Sequence, residues 1–133
     1  VVNGDIGTAA EARSALAQSG AKAVMVGRAA VGRPWLAGQI SAALRGQPWA
    51  SPSSSEMAAA AATHYGFLLS SLGASQGLRH ARKHVVAYLA EAARLGSGLA
   101  IPLRETLCRS DNPDAVLRGL ESAFHDIPVR RAA

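Results

Sequence analysis

Val1-Val2-Asn3-Gly4-Asp5 and Ala23-Val24-Met25-Val26-Gly27-Arg28 are two short apolar runs that each open into a glycine loop, with room for one helix between them. Thr8 suits the cap of that helix. Glu11, three residues on, completes a capping box, and Ala9, Ala12, Leu16 and Ala17 form an apolar stripe. Gly20 ends the helix. Residues 23–26 are too few for a helix, so they read as a strand buried on both faces, and Val1-Val2 reads as the stub of another. Strand, helix, strand is the unit of a parallel sheet, and the expectation for this region is α/β.

Glycine has no side chain to keep a phosphate oxygen away from backbone N–H groups, and an arginine beside it adds a charge-assisted contact. In (β/α)8 (TIM) barrels the loops after the last two strands commonly form such a site. On that reading Asn3, Gly4, Asp5, Gly27 and Arg28 make a split phosphate cradle on the last strand–helix units of a barrel. Equally, both glycines can simply turn the chain at strand ends, because short glycine loops are common in α/β folds.

The pattern then changes to helices only. Pro34 suits the first turn of a helix running to about Leu44, with Trp35, Ile40 and Leu44 as anchors and Gly46 as its stop. Residues 47–55 combine prolines and serines without a periodic apolar face and read as a linker, so the expected units are 1–46 and 56–133. In the second, Ser55 is placed as the cap of a helix over residues 56–72 that carries His64, Tyr65, Leu68, Leu69 and Leu72. Leu78, Ala81, Val85, Leu89 and Ala92 give residues 77–95 one buried face. A short helix follows Pro102, and Asn112-Pro113 starts a last one with Val116, Leu117, Leu120 and Phe124 inside. The expectation is a small helical bundle, alanine-rich and of modest stability.

A formal net charge of +5 favours an anionic partner. Five basic and two acidic residues precede residue 56, against nine and seven from there on, so totals do not single out either part. Position is more telling: Arg79, Arg82, Lys83 and His84 crowd two turns of one helix. On a helical wheel Arg79 and Lys83 share a flank, Arg82 lies at the edge of the apolar stripe, and His84 falls on the other side. Such a cluster is either a solvated face or a grip for nucleic-acid phosphates.

His64, His80, His84 and His125 do not combine with cysteine into a zinc spacing, and no metal is expected. The single cysteine, Cys108, reads as a small structural residue, since no base or pocket can be assigned to it. One cysteine forms no internal disulfide, which fits a reducing cytoplasm. No apolar run approaches the roughly 20 residues that span a bilayer, and no secretory signal is visible.

Asn3-Gly4-Asp5-Ile6, the run AVMVGRAAVGRPW at residues 23–35, and GLRHARKH at residues 77–84 occur in the order and approximate spacing of one family. The chain resembles the tRNA-dihydrouridine synthases, most closely their bacterial branch, from Val1 to about Phe124. The resemblance implies FMN as cofactor, NADPH as reductant and tRNA as partner. It implies that Asn3, Gly4, Asp5, Gly27 and Arg28 contact the phosphate end of FMN. A carboxylate is unfavourable beside phosphate unless it turns away, so Asp5 fits that role only if it binds backbone or sugar hydroxyls. By the same resemblance the carboxy-terminal helical domain grips tRNA through Arg79, Arg82, Lys83 and His84. The family's catalytic cysteine and a flavin-contacting lysine belong to earlier loops that these residues do not include. The expectation is therefore the last part of a synthase, inactive alone, cytoplasmic and monomeric. Two rivals remain: another phosphate-binding barrel enzyme, and a non-enzymatic helical module that meets RNA or protein.

Overall fold

The computed structural model describes residues 1–128, and the last five residues of the expected 56–133 unit lie outside them. Six α-helices account for most of the described chain: α1 (Ala9–Ser19), α2 (Leu36–Leu44), α3 (Ser54–Leu72), α4 (Ala74–Arg94), α5 (Ala100–Arg109) and α6 (Pro113–His125). A single 3-10 turn spans Arg28–Ala30. The chain divides into two compact units, Val1–Ser51 and a second beginning at Pro52.

The α/β expectation is overturned. Among the described residues there is no strand and no sheet, and hence no strand–helix unit of a barrel. All that joins the two apolar runs is one isolated parallel bridge, Val2 to Val24. Val2 N–H donates to Ala23 carbonyl at 2.9 Å and Met25 N–H to Val2 carbonyl at 2.8 Å. The physical reason is burial. A parallel strand needs cover on both faces, yet Met25 is 52% exposed and Val24 and Val26 are only half-buried.

In the first unit Thr8 caps α1 by accepting from Glu11 N–H at 3.2 Å. The Glu11 carboxylate accepts from Gly7 N–H at 2.8 Å, one residue before the cap, and these hydrogen bonds hold its pKa below the ordinary carboxylate value. Gly20 ends the helix in the left-handed conformation (φ 65°), where a Cβ would be strained. Arg13 donates to Ala43 carbonyl at 2.7 Å and ties α1 to the end of α2. Ile6, Ala12, Leu36 and Ile40 are the small core between them.

In the second unit α3 packs on α4 and α6, and α5 on α4 and α6. Ser53, not Ser55, caps α3 through a full capping box with Glu56. The core is built on Tyr88, Leu89, Val116, Leu120 and Phe124, with the Tyr88 and Phe124 rings edge-on at 6.3 Å. Gly77 lies inside α4, not at its start: a Cβ there would come within 2.8 Å of Leu69 Cα and 2.9 Å of Leu68 carbonyl oxygen, so only glycine lets α3 and α4 approach this closely. Asn112 caps α6 ahead of Pro113. At the other end of that helix, Asp126 accepts from Leu99 N–H at 3.0 Å and Ser97 hydroxyl at 3.2 Å, supplying the start of α5 with a cap from outside its own segment.

Candidate functional site

Two sets of residues were singled out by sequence, one in each unit. In the first, the bridge between Val2 and Val24 brings the two glycine loops side by side. Asn3, Gly4, Asp5, Met25, Gly27 and Arg28 line one cleft of about 260 Å³. Gly4 sits at φ 133°, which only glycine adopts readily, and Asp5 follows at φ 38°, an uncommon value that aspartate tolerates better than most residues. A Cβ at Gly4 or Gly27 would meet nothing within 4 Å, so the space beside both backbones is free for a ligand oxygen.

Arg28 and Asp5 pair across the loops at 2.5 Å, with side chains 86% and 76% exposed. The Asp5 carboxylate thus turns to a guanidinium and not to the backbone or sugar hydroxyls that the sequence reading asked of it. Arginine carries five N–H donors, so the pair leaves Arg28 able to bind an anion as well. An exposed pair of this kind contributes little to stability. It links the two loops across the cleft.

In the second unit, Arg79 and Lys83 are exposed on α4 as their spacing predicts, and Arg82, expected at the edge of the apolar stripe, is exposed too. Arg82 is engaged with Asp111 in the α5–α6 connection at 3.5 Å. His84 departs from the group. Its ring is half-buried and meets His64 of α3 edge-on at 4.7 Å and His80 at 5.8 Å, and its Nδ1 is buried without a hydrogen-bond partner among the described residues. Burial pushes the His84 pKa down from 6.5, assisted by the charges of His64, Lys83 and His80. The half-buried His84 ring packs between α3 and α4, unlike the exposed Arg79, Arg82 and Lys83. His64 Nδ1 lies 3.0 Å from the Tyr88 hydroxyl, and burial lowers its pKa too.

Cys108 is half-buried on α5. Among the described residues no three His, Cys, Asp or Glu side chains are grouped to hold a metal ion, and no helix is long and apolar enough to cross a membrane.

The dihydrouridine synthase family model matches residues 1–125. This chain belongs to that family. A protein of Rhodobacter capsulatus named probable tRNA-dihydrouridine synthase is 49% identical over 127 residues, covering 95% of this chain and 37% of the relative. One of Rhizobium leguminosarum bv. phaseoli with the same name is 42% identical, covering 93% and 36%, and one of Mycobacterium leprae is 38% identical, covering 91% and 31%. The chain thus spans about a third of the length of these relatives.

Within this dihydrouridine synthase chain, the interaction that sequence reading missed is the His64–His84–Tyr88 contact between α3 and α4. The spacing of His80 and His84 marks one helical turn, but nothing in the sequence pairs position 64 with 84 or 88, because that contact is tertiary. The Arg28–Asp5 pair, 23 residues apart, was likewise invisible.

Proposed function

We propose that this chain serves the reaction its family is named for, the reduction of uridine to 5,6-dihydrouridine in tRNA, with FMN as the redox cofactor and NADPH as reductant. What supports this reading above all is the family match, which runs without interruption through both units. The cleft suits the phosphate end of FMN: two loops converge, space stands open beside Gly4 and Gly27, and Arg28 supplies a cation. When bound, the flavin supplies hydride chemistry for the uracil ring. The contribution of Asn3, Gly4, Gly27 and Arg28 is to bind and orient a phosphate, and that of Asp5 is to hold Arg28 in place.

In the second unit, Arg79 and Lys83 meet tRNA phosphates, with Arg82 beside them. Folded RNA is gripped chiefly through backbone and 2′-hydroxyl groups, for which exposed cations on a rigid helix are well suited. Cys108 takes no part in the chemistry, and the 133 residues alone bind without turning over. The setting is the cytoplasm, and the working unit a monomer.

The test is a salt titration of tRNA binding to the 133-residue chain, with duplex DNA of similar charge as control. Arg79→Ala with Lys83→Ala is expected to weaken tRNA binding and lower the salt slope by about two units, leaving helix content unchanged. Equal binding to both nucleic acids sinks the RNA reading. For the cleft, Arg28→Ala should reduce any preference for FMN over riboflavin, which differ only in the phosphate, and leave the part owed to the glycine loops.

A further inference from the structure

Val86 follows Arg82 by four residues and Lys83 by three, so it continues the basic flank of α4 along the helix. It forms one wall of a groove of about 390 Å³ whose other lining comes from α5: Ile101, Arg104, Glu105, Cys108 and Arg109. Ile101 is 75% exposed, whereas the core positions of α5 are Ala100 and Leu107. The charges around this apolar floor are mostly paired: Arg109 with Glu105 at 3.0 Å and Arg82 with Asp111 at 3.5 Å. Arg104 makes no ion pair among the described residues.

We propose that the groove between α4 and α5 receives unpaired nucleotides of the bound RNA, a base lying on Val86 and Ile101 while Arg104 meets its phosphate or stacks on its ring. The proposal rests on the tRNA reading of α4 and extends it to a second helix. Charge and continuity argue for this occupant. The groove runs on from the flank that carries Arg79 and Lys83, and its one unengaged charge is positive. An exposed isoleucine gains nothing from a duplex, whose outer surface is phosphate and ribose. Bases in loops and single strands are splayed out and present apolar faces to side chains and arginine planes.

Cys108 lines the groove and is the single cysteine, so its alkylation reports occupancy directly. The experiment measures the rate of maleimide reaction in the 133-residue chain, alone and with total tRNA, an unpaired RNA oligonucleotide, a blunt RNA duplex or polyglutamate. Expected is slowing by tRNA and the unpaired strand and none by the duplex. Ile101→Glu should weaken unpaired-RNA binding about tenfold, and Arg104→Ala should lower its salt slope by about 0.7. Ile101→Ser replaces the glutamate variant if that one fails to fold, and the alkylation measurement needs neither. If Arg79→Ala with Lys83→Ala weakens tRNA binding while Cys108 reacts at an unchanged rate with RNA bound, the groove proposal falls and the α4 reading stands. If the unsubstituted chain binds no tRNA, both fall. Protection by polyglutamate and not by RNA overturns the proposal in favour of an acidic protein partner.

Discussion

The first unit carries its candidate site on backbone and the second carries it on side chains. Around Gly4 and Gly27 the candidate groups are open backbone and Arg28, in two loops joined by one bridge and one exposed ion pair. On α4 they are guanidinium and ammonium groups projecting from a 21-residue helix with a full core beneath it. A backbone site needs the loops in place and few particular side chains. A side-chain site needs only a straight, well-anchored helix. The difference shows in the cores: Ile6, Ala12, Leu36 and Ile40 in one, and Tyr88, Phe124, Leu89, Leu120 and Val116 in the other.

The largest expected effect separates the units by that burial. Phe124→Ala should cost about 3–5 kcal/mol, against about 2–5 kcal/mol for Ile40→Ala. Followed by thermal unfolding with probes in each unit, Phe124→Ala should lower only the transition of the second. A joint shift of both transitions would mean that the two halves unfold as one.

A smaller effect is expected at Gly77. Gly77→Ala forces a Cβ onto the Leu69 backbone, and the overpacking should cost about 1–3 kcal/mol by denaturant unfolding. Gly27→Ala, with nothing within 4 Å, adds no packing clash and bears chiefly on the cleft. A neutral Gly77→Ala would show that α3 and α4 tolerate separation.

The smallest effect is a difference in pH response. Burial holds the His64 and His84 pKa values in the folded chain below their ordinary 6.5, so the unfolded chain binds more protons. Their contribution to stability is complete above pH 6.5 and falls away as the pH drops from there through their folded values. Glu11 in the first unit and Glu56 in the second have carboxylates lowered from 4.5 by cap hydrogen bonds, whose contribution is present above pH 4.5 and lost below it. Between pH 6.5 and 5, then, only the second unit should weaken. His84→Phe should flatten that slope, and an unchanged slope would place its source elsewhere.

How much of this was legible depends on range. Helix ends are local, and Thr8, Gly20 and Asn112-Pro113 behave as their chemistry dictates. Ala81, Val85, Leu89 and Ala92 are buried as their spacing predicts, as are Val116, Leu120 and Phe124. Ser55 was read as a cap although Ser53 stands three residues before Glu56, the spacing a capping box requires. Gly77 read as a helix start because its true reason, contact with Leu69, lies across two helices. The error of kind was the strands. Apolar runs bounded by glycines signal burial, but burial on two faces is a property of neighbours, and Met25 has none on one side. The cleft needed no sheet: a single bridge aligns Asn3-Gly4-Asp5 with Gly27-Arg28. Of the basic cluster, charge and exposure were readable for Arg79, Arg82 and Lys83, whereas the inward turn of His84 depends on His64.

Asp126 closes α6 and at the same time holds Ser97 and the Leu99 N–H. The chain is made from the amino end, so the turn between α4 and α5 leaves the ribosome some 27 residues before its anchor. Without Asp126 the α5 N-terminus lacks this acceptor. One carboxylate at the end of α6 thus spans 27 residues of sequence to hold the entry to α5, the helix that supplies most of the groove proposed to receive unpaired bases.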